Sequence, residues 1–116
     1  FNGMGLIFGT QCRIAGGQMW DIWDNVNHRW VSTGVACNPQ NGSWNHLSLE
    51  VQRQSDNSLL YKSITLKGIT ATINQSYPHG DAPSGWWGIT TNFQMDGNRN
   101  QAPYSVWLDN FSFTYN

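Results

Sequence analysis

The chain has 116 residues, with six Lys/Arg against seven Asp/Glu and a formal net charge of −1. Only 11% of residues are charged, against roughly 25% in ordinary domains, so the basic footprint that grips phosphate backbones is missing and nucleic acid is excluded as an expected partner. No apolar run reaches the length of a bilayer-spanning helix, and a 14% aromatic content that includes seven Trp argues against disorder.

Polarity comes instead from Asn, Gln, Ser and Thr, whose amides and hydroxyls bond neutral polyols without the desolvation cost of ions. One domain over residues 1–116 is expected, long enough to bury a core. The chain opens on Phe1 with no basic-then-apolar leader, and is read as a mature or excised domain. Cys12 and Cys37 suit one disulfide in an oxidising compartment, which makes the expected localisation secreted.

Helical periodicity is absent; short alternating runs are separated by Gly, Asn, Asp and Pro turns. Met4–Arg13 reads as a first strand, with Met4, Leu6 and Phe8 on one face and Gly9, Gln11 and Arg13 on the other. Ala15-Gly16-Gly17 turns the chain into a strand over 18–24. There Trp20 and Ile22 point one way, and Asp21 and Trp23 the other. Residues 25–28 form a turn before Arg29–Ala36. Pro39 and Asn41-Gly42 mark a loop.

Residues 44–53 carry Leu47, Leu49 and Val51 on one face and Trp44, His46, Glu50 and Gln52 on the other. Leu59–Leu66 follows, and Lys67-Gly68 bends it into a strand over 69–73. Residues 77–85 form a loop; residues 86–95 alternate Trp87, Ile89, Phe93 and Met95 against Trp86, Asn92 and Gln94. A polar loop precedes a closing strand over 104–115, where Val106 and Leu108 are out of phase with Phe111, Phe113 and Tyr115. A bulge near Asp109-Asn110 reconciles the two halves. About eight strands, each with one apolar face, predict two packed sheets: an antiparallel β-sandwich of jelly-roll type, with a closed barrel as the alternative.

Trp44-Asn45-His46 ahead of an alternating strand, and Leu108-Asp109-Asn110 ahead of an apolar one, resemble the C-terminal half of concanavalin A-like lectin/glucanase jelly rolls. The resemblance covers the last two thirds of the chain and implies a concave sheet facing carbohydrate. Glucanase members carry an E-x-D-x-x-E strand motif; here Gln52 stands where the second acid belongs, so the resemblance favours binding over hydrolysis.

With the apolar sets turned inward, the polar face collects Gln11, Arg13, Asp21, Trp23, His46, Glu50, Trp86, Asn92 and Gln94. Indoles cover the C–H faces of sugar rings, and carboxylates, amides and Arg answer their hydroxyls. The expected ligand is therefore a polysaccharide or oligosaccharide, bound without catalysis. Glu50 and Asp21 form the one acid pair that alternation puts on a shared face, which keeps glycan hydrolysis as an alternative. His28, His46 and His79 lack metal-ligand spacing, so no metal site is expected, and a metal-dependent oxidative enzyme acting on glycans stays beside the hydrolase as the alternative. Asp96, Asn98 and Asn100 alternate oxygen ligands in the manner of a calcium loop, with Arg99 opposing a cation.

Overall fold

The computed structural model describes residues 3–82, 89–92 and 102–115. Its regular structure is β throughout, apart from a single 3-10 turn over Ile14–Gly16. The strands are β1 (Met4–Arg13), β2 (Met19–Asp24), β3 (Arg29–Ala36), β4 (Leu47–Arg53), β5 (Leu59–Leu66), β6 (Ile69–Tyr77), β7 (Gly80–Asp81) and β8 (Ile89–Asn92).

They form two antiparallel sheets, one ordered β3-β2-β1-β7 and the other β4-β5-β6. β8 joins the first sheet by pairing with β1 in parallel, a departure from the purely antiparallel arrangement that alternation predicts. The expected Cys12–Cys37 disulfide is present, with Cα atoms 5.7 Å apart. It fastens the end of β1 to the chain just beyond β3.

Turn chemistry explains the connections. Lys67 and Gly68 both have positive φ (53° and 79°), the requirement of a two-residue type I′ turn, and Leu66 pairs with Ile69 across it. Between β2 and β3, Asp24 Oδ1 accepts from the backbone of Val26 and Asn27, both at 3.1 Å. Asp24 Oδ2 takes the Asn27 amide at 2.7 Å, so one buried carboxylate organises the turn.

Three expected boundaries are corrected. β4 begins at Leu47 rather than at residue 44. Asn45 is spent inside the preceding loop, accepting from Gln40 N at 2.8 Å and donating to the carbonyls of Gln40 and Ser43, each at 2.9 Å. β6 runs on to Tyr77 because Asn74, at φ 50°, makes a bulge that bends the strand without ending it. Residues 104–115 join no ladder: alternation prepares a strand, but a strand is completed only by a neighbour.

Both sheets contribute to one core. Leu6, Phe8, Trp20 and Ile22 come from the first, and Leu59, Tyr61, Ile64 and Ile73 from the second. Against β4, β5 carries an extra residue between Tyr61 and Ser63, which shifts its inward set from odd to even positions, so that Leu59, Tyr61, Ile64 and Leu66 all reach the interior. The cross-strand partners Leu49 and Val51 pack against the same cluster.

Tyr61 also ties the sheets together through polar bonds. Its fully buried ring meets Phe8 edge-on, at 5.6 Å between centroids. Its hydroxyl accepts from Gly9 N at 3.1 Å and faces the carbonyls of Trp23 (3.2 Å) and Ile7 (3.4 Å). A hydroxyl has one proton to give, and the shorter contact marks Trp23 as its acceptor. Burial pushes the phenol up from 10.0 to about 12, against the smaller opposing effect of the bond it accepts from Gly9 N.

Next to this point Asn25 acts as a length of strand: its side chain accepts from Ile7 N at 3.1 Å and donates to Ile7 O at 2.9 Å. The Ile7 backbone, which β2 leaves uncovered, is thereby satisfied.

Candidate functional site

The face of the first sheet turned away from the core gathers most of the expected binding residues that the structure describes. Gln11 pairs with Asp21 and Asp21 with Ser32, forming one row across β1, β2 and β3. Trp23 pairs with Trp30 in the next row, and Asn92 of β8 lies opposite Gly9. Arg13 stands opposite Met19 on the far side of the carboxylate. Successive rows on a face are about 7 Å apart.

The indoles of Trp23 and Trp30 meet edge-to-face, with centroids 5.1 Å apart and planes at 67°. Gly9 makes room for them. A Cβ there would lie 3.0 Å from Trp23 Cβ and 3.2 Å from Trp30 Cη2, so any larger residue would displace the Trp30 ring. His28, exposed at the turn, adds a third ring 6.3 Å from Trp23 at 83°. Tyr61 fixes the cluster from behind through the Trp23 carbonyl.

Asp21 is only 2% exposed, although it lies on the outer face. Its Oδ2 accepts from Arg13 Nε at 2.9 Å and from Gln11 Nε2 at 3.0 Å. Its Oδ1 is buried and has no hydrogen-bond partner among the described residues. An acceptor taken out of water in this way costs on the order of 1–3 kcal/mol. Trp30 and His28 were not among the expected binding residues. The signal for Trp30 was present: a four-residue turn between Asp24 and Arg29 sets residues 23 and 30 directly opposite.

His46 and Glu50 belong elsewhere. His46 is exposed ahead of β4, its carbonyl accepting from Lys67 N at 2.9 Å. Glu50 lies on β4 of the second sheet, held by Lys62 and by Ser63 Oγ at 3.3 Å. The Lys62 ammonium, by hydrogen bond and by charge, keeps the Glu50 carboxyl below its usual range. The acid pair expected of Asp21 and Glu50 is therefore not assembled. Asp21 lies on the first sheet and Glu50 on the second, and each carboxylate already has its own cation.

Trp86, Gln94 and the calcium-type loop with Asp96, Asn98 and Asn100 lie outside the described residues. Among the described residues, no three His, Cys, Asp or Glu side chains gather as a metal site, and no helix is long and apolar enough to cross a membrane. No protein-family profile, curated protein or solved structure matches the chain.

Proposed function

We propose that the chain is a secreted carbohydrate-binding module of β-sandwich, jelly-roll type, and that it takes a polysaccharide on the outer face of the first sheet. The observation that carries this reading is the Trp23–Trp30 pair, half-buried and set one row from the Gln11–Asp21–Arg13 cluster. The indoles offer an apolar surface to the C–H face of a pyranose. Arg13, Gln11 and Asn92 offer donors to its hydroxyls. An open row on a sheet suits a chain lying across it better than a chain end in a pocket. The disulfide supports an oxidising destination.

Affinity gels cast with soluble cellulose derivatives, xylan, β-glucan and mannan provide the test. Retardation on at least one is expected, and its loss in a Trp23→Ala/Trp30→Ala variant that retains its far-UV circular dichroism. Free migration in every gel, or undiminished retardation of the variant, would refute the assignment.

A further inference from the structure

Three aromatic rings meet on the outer face of the first sheet, and Trp23 is parallel to neither of its neighbours. Its plane is inclined at 67° to Trp30 and at 83° to His28. The backbone sets this tilt. Trp30 starts on β3, yet its ring tip reaches β1: Cη2 and Cζ3 would lie 3.2 and 3.4 Å from a Cβ at Gly9. β1 and β3 flank β2 and are about 10 Å apart, so the long axis of this indole runs across the strands. Trp23 Cβ would lie 3.0 Å from the same point. The Trp30 tip takes the space over Gly9, and the Trp23 ring is left to meet it edge-to-face. On the far side of β1, exposed Asn92 of β8 lies opposite Gly9. Across four strands the row therefore forms an indole corner that ends at a carboxamide.

That shape decides what can lie against it. A crystalline polysaccharide presents one flat plane of parallel rings. A plane laid on either indole meets the other edge-on, because the two are 67° apart. A free chain turns each pyranose separately, so one ring can stack on one indole while its edge meets the other. The neighbouring donors agree with a free chain. Gln11 and Arg13 lie on the outward positions that follow Gly9 along β1. They serve hydroxyls at ring edges, which a crystal lattice already bonds to its own neighbouring chains.

Resting on the carbohydrate-binding reading above, we propose that the ligand is a single soluble or amorphous glycan chain, with one pyranose seated in the corner between Trp23 and Trp30, and not the face of a crystalline polysaccharide. Gly9 is the positioning residue: its missing Cβ lets Trp30 cross β2 and so makes the corner.

Sedimentation assays beside the affinity gels test the proposal. The full chain is mixed with crystalline and with swollen, amorphous powders of cellulose, xylan and mannan. For the polymer that retards it in a gel, the swollen form should bind about tenfold more tightly than the crystalline form, which forfeits one aromatic contact. Equal or tighter binding to the crystalline form would overturn this inference and leave the carbohydrate reading standing. Free migration in every gel would remove both.

Gly9→Ala should keep the far-UV circular dichroism, change the near-UV signal of the paired indoles, and weaken binding to the soluble chain by about two- to tenfold. Trp30→Phe, too short to reach Gly9, should weaken binding to the same degree, and it answers the question if Gly9→Ala does not fold. Undiminished binding in either variant, or an unchanged near-UV spectrum in folded Gly9→Ala, would overturn the corner and the role given to Gly9.

Discussion

Tyr61→Phe removes one oxygen atom from the centre of the molecule and leaves the ring against Phe8. Two bonds disappear: the one accepted from Gly9 N and the one donated to Trp23 O. The Gly9 amide loses the acceptor that Tyr61 gives it, and both residues are buried from water. A net bond is worth about 1 kcal/mol and a stranded buried donor costs about 1–3 kcal/mol. The expected loss is therefore about 2–3 kcal/mol, a large part of the 5–15 kcal/mol typical of a domain.

Urea unfolding followed by tryptophan fluorescence measures it, with an unchanged slope to show that the surface exposed on unfolding is the same. The phenol adds a second signature. Its pKa rises from 10.0 unfolded to about 12 folded, so its contribution is fully present below pH 10 and is lost as pH climbs through 12. Two pH units correspond to about 3 kcal/mol. The wild type should lose that much between pH 10 and 12, and the Phe variant should lack this component. A variant within about 0.5 kcal/mol of wild type at pH 7, or one with the same alkaline limb, would refute the role given to this hydroxyl.

Asn25→Ala strips Ile7 of both its lateral bonds, and should cost about 2–3 kcal/mol in the same urea titration. Reducing Cys12–Cys37, which closes a separation of 25 residues, should cost about 3–4 kcal/mol, read as the shift in urea midpoint on adding thiol. Asp24 is pushed up by burial, but its bonds from Asn27 and Val26 and the charge of Arg29 outweigh this and hold it below 3.8. Its contribution is therefore present above pH 4 and fades as pH falls through the lower folded value. Asp24→Ala should flatten that acid limb in a pH series of thermal melts. Arg13→Ala leaves buried Asp21 with Gln11 alone, and should destabilise by about 1–3 kcal/mol in urea unfolding.

β1, β3 and β5 were legible to the residue, because their alternation and flanking turns agree. The disulfide followed from cysteine count, and the outward phase of Gln11, Asp21, Trp23 and Asn92 on their own strands followed from alternation. Alternation gives the side of a strand but not the sheet to which the strand belongs. For that reason His46 and Glu50 were assigned to the wrong surface. Exposure was also beyond it: Asp21 is polar and outward-facing, yet Arg13 and Gln11 enclose it. Side chains that replace backbone left no periodic trace. Asn25 completing β1, Asn45 closing the loop before β4 and Tyr61 spanning two sheets depend on contacts that form only once the chain is folded.

The way β1 is shared has a consequence for how the chain acquires its shape. Along ten residues it takes β2, the Asn25 amide, the Tyr61 hydroxyl, β7 and β8 as neighbours, drawn from positions 19 to 92. No single hairpin can stabilise it. During synthesis β1 is made early and waits, with half its edge bare, until residues more than eighty positions later arrive. Such long-range closure slows folding and prolongs the exposure of an unpaired strand. The segment that ends as the most heavily tied strand of the first sheet is therefore, on the way there, the one most open to capture by another chain.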